Sequence, residues 1–120
     1  IRKALGGGMR QAGIIAAAGI VSLKIIMAQL KEDHENARQL AQGISNIEGL
    51  SLDDNKVKTN IIYFELDSFE KKGSQLVTEM ENKGVKFFET GQNQFRLVTH
   101  YGITLDCVKK TLQSFREVLN

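Results

Sequence analysis

The stretch "AGIIAAAGIVSLKIIMAQL", Ala12 to Leu30, constrains this chain more than any other, because it is apolar almost throughout and Lys24 is its only charge. Apolar surface left in water forfeits roughly 25 cal/mol per Å², so such a stretch must be covered by something. A membrane span needs about 20 consecutive apolar residues. Lys24 leaves an uncharged run only from Gln11 to Leu23, which reads as too short. Alanine and glycine in such density predict a core helix packed closely on all sides within protein. Gly13 and Gly19 each cost about 1 kcal/mol against alanine inside a helix, which is tolerable where another backbone comes close. The helix is expected to start near Met9 or Arg10 and run to the high twenties.

Leu30, His34, Ala37, Leu40, Ala41 and Ile44 then recur at helical spacing, with Lys31, Glu32, Asp33, Glu35, Arg38 and Gln39 between them. This predicts an amphipathic helix with one wet face. Periodicity leaves open whether it continues the first helix or bends away near Met27 to Leu30. Turn residues over Ser45 to Lys56 close the helical half. "VKTNIIYFEL", Val57 to Leu66, is rich in β-branched and aromatic residues and reads as a strand. "DSFEKKG" reads as a loop, with Ser74 capping a helix from Gln75 to Lys83 that ends at Gly84. "VKFFET" and "NQFRLVTH" form two strands joined by a turn at Thr90 to Asn93. Thr104 caps a last helix with Leu105, Val108, Leu112, Phe115 and Leu119 on its apolar stripe. The fold class is therefore α+β: a small three- to four-stranded, mainly antiparallel sheet with helices on one face, preceded by a long apolar helix.

The charge balance narrows the function. There are 16 basic and 14 acidic residues, and the net charge is +2. Basic residues are scattered, so the stripe that nucleic-acid binding requires is absent. Cys107 is the single cysteine, which excludes an internal disulfide and agrees with a reducing, cytoplasmic setting. The opening "IRKAL" reads as the tail of a preceding helix, and the chain as a segment of something longer.

Two places invite chemistry. In "GGGMRQAG", Gly6 to Gly13, successive glycine amides and a helix N-terminus are able to bind an anion. Arg10 in a first helical turn would be disfavoured by the helix dipole unless an anion sat opposite. A flexible linker with a solvated Arg10 is the alternative. In "QFRLVTH", strand alternation sets Arg96 on the opposite face from Phe95 and Leu97. A guanidinium on a rigid strand suits a bidentate carboxylate contact. The alternatives are a solvated arginine or one paired with Glu65. His34 reads as a packed histidine on an apolar stripe, and it forms no metal or nucleophile constellation with His100. Cys107 reads as an inert small side chain. Asn60 serves either a ligand contact or backbone capping.

"RKALGGGMRQAGIIAAAGIVSL", "LKEDHENARQLAQGI", "VKTNIIYFEL" and "FRLVTHYGIT" together resemble the low-specificity L-threonine aldolases, in order and over essentially the whole chain. The resemblance implies the C-terminal region of a fold-type I pyridoxal 5'-phosphate enzyme. Residues 1–29 would be a linker and long helix joining from the large cofactor-binding domain, and residues 30–120 the C-terminal small domain. It implies cleavage of L-threonine or L-allo-threonine to glycine and acetaldehyde, with the cofactor as electron sink. Arg96 would grip the substrate carboxylate. Arg10 and Lys3 would lie near the cofactor phosphate, with Gly7 and Gly8 allowing close backbone approach. Partners would be the protein's own large domain and neighbouring subunits of a homotetramer, with no nucleic acid and no membrane. The lysine that binds the cofactor and the histidine that stacks on it lie upstream in that family, so the segment alone is expected to be inactive. Another β-hydroxy-amino-acid lyase of the same fold type is one alternative. A non-enzymatic amino-acid-binding module and a purely structural oligomerisation segment are two more.

Overall fold

In a computed structural model, which describes residues 1–67 and 71–120, the apolar segment and the amphipathic one form a single continuous helix, Gly13–Ile44. It comprises α1 (Gly13–Val21), a π-helical stretch at Ser22–Ile26, and α2 (Met27–Ile44). The wider π turn absorbs the junction without breaking the rod. A helix of 32 residues is about 48 Å long, and it dominates the chain's 56 × 29 × 28 Å extents. The radius of gyration is 18.2 Å, against about 14 Å for a globule of this length.

The expected burial of this helix is not met within the chain. No residue before Asp33 is buried, and Ile14 and Leu23 are 79% and 69% exposed. Nothing lies within 4 Å of a Cβ built on Gly13 or Gly19, so no neighbouring backbone accounts for either glycine. By length and composition the helix also passes as long and apolar enough to cross a membrane. The reading that it is too short does not hold, since one lysine in an 18-residue window leaves the average strongly apolar.

The second half builds the core. After β1 (Leu50–Ser51) and a short 3-10 turn at Asp54–Lys56 come β2 (Ile61–Leu66), α3 (Gly73–Asn82), β3 (Phe88–Gly91), β4 (Gln94–Val98) and α4 (Leu105–Leu119). The sheet order is β1-β2-β4-β3, and every pairing is antiparallel. Ile62, Phe64, Leu66, Phe95 and Leu97 point to the covered face and are buried. They meet Ala37, Leu40 and Ile44 of α2, Leu76 and Met80 of α3, and Val108 and Phe115 of α4. Phe64 stacks on Phe95 at 5.1 Å and meets Phe115 edge-on at 5.5 Å. Such geometries add to the area term.

Several local expectations shift. The buried face of α2 includes Asp33 and Asn36, while His34 is exposed. The reason is distant in sequence: the Thr99 hydroxyl donates to the Asp33 carbonyl at 2.6 Å, and Asn36 donates to the Ile103 carbonyl at 2.8 Å. Ser74 lies inside α3 rather than capping it, because the Gly73 amide is taken by the Asn93 side chain from the β3–β4 turn at 3.2 Å. β1 was not foreseen, being a two-residue edge strand. The loop "DSFEKKG" falls partly on residues outside the described ones. Thr104 caps α4 as expected, accepting from the Cys107 amide at 3.4 Å.

Candidate functional site

The sheet has one covered face and one open face. On the open face β2 presents Ile61, Tyr63 and Glu65, and β4 presents Gln94, Arg96 and Val98. Arg96 therefore projects where alternation places it. Its register partners are Tyr63 on one side and Phe88 on the other, so a row Tyr63–Arg96–Phe88 crosses three strands. Glu65 does not pair with Arg96; it accepts from the Gln94 amide at 2.8 Å. Among the described residues Arg96 has no hydrogen-bond or ion-pair partner, and its Nε is buried and unsatisfied. A desolvated donor without a partner costs about 1–3 kcal/mol. The strand is pinned at its end: Asn60 donates to the Thr99 carbonyl at 2.7 Å, and the Thr99 amide donates to the Asn60 carbonyl at 3.0 Å. Asn60 is thus a backbone clasp below the arginine.

The glycine segment forms a hydrogen-bonded turn ahead of the first helix. Leu5 N–H bonds to the Ile1 carbonyl, Gly6 N–H to Lys3 and Gly7 N–H to Arg2, and Gly6 takes φ +82°. This is the Schellman pattern, in which a left-handed glycine closes a helix. Arg2 Nε closes the same turn by donating to the Gly7 carbonyl at 2.6 Å. A Cβ on Gly7 would lie 2.8 Å from Arg2 Cγ and 2.9 Å from the Arg2 carbonyl oxygen, and one on Gly8 3.1 Å from Lys3 Cγ. Close approach at Gly7 and Gly8 is therefore already used inside the chain.

α1 begins at Gly13, not at Met9 or Arg10, because Gln11 adopts φ 51° and breaks the helical run. Arg10 consequently lies before the first turn, and the argument from a cation inside that turn loses its premise. What the structure does hold is a helix start with no side-chain cap on Ala12 and no acidic residue in its first turn. Lys3 and Arg10 are exposed, and neither has a carboxylate partner among the described residues.

The remaining candidates carry no site. No group of three or more His, Cys, Asp or Glu among the described residues is able to hold a metal. Cys107 is exposed, and its thiol is drawn below its ordinary value chiefly by the hydroxyl of Thr104, 3.4 Å away. A groove of about 660 Å³ opens on the β1 side of the sheet, lined by Leu52, Lys56, Ile61 and Tyr63 among others. It borders the Arg96 row through Tyr63, and of the residues singled out in the sequence it contains only Glu65. Tyr63 and Phe88 were missed there; their signal was strand alternation, which puts both on the face of Arg96.

Comparison with known proteins fits this arrangement. The beta-eliminating lyase family matches residues 1–67. Low-specificity L-threonine aldolase 1 of Arabidopsis thaliana is 33% identical over 124 residues, covering 99% of this chain and 34% of that protein. The low-specificity L-threonine aldolase of Escherichia coli K12 is 33% identical over 118 residues, covering 98% and 33%. The chain thus spans about a third of the length of these relatives. The solved structure of MppP soaked with the product 2-ketoarginine shares the fold, with a TM-score of 0.58 at 15% identity, over 72% of this chain and 26% of that one. The chain belongs to the beta-eliminating lyase family, and over its whole length it is similar to the low-specificity L-threonine aldolases.

Proposed function

We propose that this chain is the C-terminal part of a pyridoxal-phosphate-dependent aldolase that cleaves L-threonine or L-allo-threonine to glycine and acetaldehyde. The observation that carries the reading is Arg96, a partnerless, partly desolvated guanidinium on the open face of a sheet whose chain matches threonine aldolases end to end. When bound, the cofactor supplies an electron sink for the pair released as Cα–Cβ breaks. Arg96 holds the substrate carboxylate. A two-point contact fixes rotation about Cα, and that rotation selects which bond lies perpendicular to the cofactor plane. Lys3 and Arg10 hold the cofactor phosphate as point charges on the approach to α1, with the Gly8 amide beside them, the Gly7 amide being taken by the Arg2 carbonyl.

The exposed helix has a place in this reading. Residues 1–29 join from a large domain upstream, and 30–120 form the small domain. The helix lies inside the family-matched region, so its apolar surface packs on the large domain and on neighbouring subunits of a cytoplasmic homotetramer rather than in a lipid bilayer. In the full-length protein, Arg96→Ala is expected to raise KM for L-threonine and lower kcat/KM at least ~100-fold, about 2.7 kcal/mol of transition-state stabilisation. Near-normal kinetics would remove Arg96 from the site. Arg10→Ala and Lys3→Ala are expected to weaken cofactor binding, read by equilibrium dialysis, and to leave KM for threonine unchanged once cofactor saturates. Unaltered cofactor affinity in both variants would exclude the phosphate role.

A further inference from the structure

The open face raises a question that Arg96 alone does not answer. Nε is buried, yet the helices of the core lie on the other face of the sheet. Its own row flanks it on the open face. Tyr63 and Phe88 are the residues directly opposite it on the two neighbouring strands, and directly opposed side chains have Cβ atoms about 4.5–5.5 Å apart. Both rings remain 58% and 71% exposed themselves. A sheet surface with no ligand to serve gains nothing from two large exposed aromatics on either side of a lone cation. A planar guanidinium, by contrast, lies well between aromatic faces, and a lysine does not.

We propose that Tyr63 and Phe88 are positioning residues for Arg96, two walls that hold its guanidinium on the open face, cover its Nε side and leave the terminal nitrogens to donate to the substrate carboxylate. This rests on the reading of Arg96 as the carboxylate anchor. The walls act in two ways. They limit the rotamers of a long side chain, so less freedom is lost when substrate binds. They also lower the local dielectric, so the charged contact formed there is stronger and less screened by salt. End-on donation through the two terminal nitrogens follows, since Nε is the covered atom.

The test uses the full-length, cofactor-loaded protein with Tyr63→Ala, Phe88→Ala, Tyr63→Phe and Arg96→Ala. Each alanine wall variant is expected to raise KM for L-threonine about tenfold with kcat within about threefold, because the ring that covers one side of the guanidinium is lost while the chemistry stays intact. Binding of glycine, measured by calorimetry, weakens by the same factor and becomes more salt-dependent, and Tyr63→Phe restores both. Adding Tyr63→Ala to Arg96→Ala causes no further loss, since a residue that acts through Arg96 is silent without it. If an alanine variant loses its cooperative thermal transition, Tyr63→Leu and Phe88→Leu replace it, with at least about a threefold KM rise expected from loss of the π face. Unchanged KM in both wall positions, with Arg96→Ala still impaired, overturns the walls and spares the anchor. Full additivity in the double variant also overturns them. An Arg96→Ala protein with normal KM overturns the underlying reading instead.

Discussion

The N-terminal arm and the C-terminal α+β unit differ in an instructive way. The arm carries the more apolar sequence, yet no residue before Asp33 is buried. The unit from Asp33 onward is more polar, and it contains the whole buried core, from Ala37 to Phe115. Apolar content therefore does not locate a core by itself. In the unit, alternation and helical stripes point apolar groups at one another. In the arm, apolar residues surround the helix, and no element among the described residues meets them. On the function proposed above, the arm and the open sheet face are the two surfaces that the rest of the enzyme covers.

The largest expected effect separates the two regions directly. Phe95→Ala in the 120-residue chain removes the ring stacked on Phe64 and should cost about 3–5 kcal/mol in urea unfolding. Ile20→Ser, on the exposed arm helix, should stay within about 0.5 kcal/mol in the same assay but weaken assembly of the full-length protein by sedimentation. A large loss from Ile20→Ser in the chain alone would break the contrast. A finer version uses two glycines with the same φ of +82°, Gly6 in the arm and Gly84 at the end of α3. Gly84→Ala should cost about 1 kcal/mol, whereas Gly6→Ala should leave the global transition in place, because no core depends on that turn. Thr104→Ala should cost about 1 kcal/mol by removing the α4 cap.

The smallest effect is electrostatic. Lys83 lies 2.6 Å from Glu117, and its hydrogen bond, followed by that of Gln113, holds the Glu117 carboxyl below its ordinary value of 4.5. A depressed carboxyl stabilises the fold above the unfolded value and loses that contribution as pH falls through the folded one. Lys83→Met should therefore narrow the stability difference between pH 7 and acid. An unchanged pH profile would show the pair to be too exposed to matter.

Much of this was legible locally. The alternation of Phe95, Arg96 and Leu97 and the stripe after Thr104 depend on neighbours in sequence, and both appear as read except that Leu105, in the first turn, is exposed. What was misread depends on distant partners. Asp33 is buried and His34 exposed because Thr99 and Ile103 dock on α2 from more than half the chain away. Ser74 lost its cap to Asn93 across a hairpin. Gln11 breaks the first helix through a positive φ that its residue type does not announce. At the site, the arginine was visible as a type in a pattern, while its aromatic neighbours required the register of three strands.

The most direct test of the central claim is a crystal structure of the full-length protein with cofactor and glycine bound. The account predicts the two terminal nitrogens of Arg96 at about 2.7–2.9 Å from the two carboxylate oxygens, with Tyr63 and Phe88 flanking the guanidinium. A bound glycine whose carboxylate is held elsewhere, with Arg96 facing solvent, would contradict it.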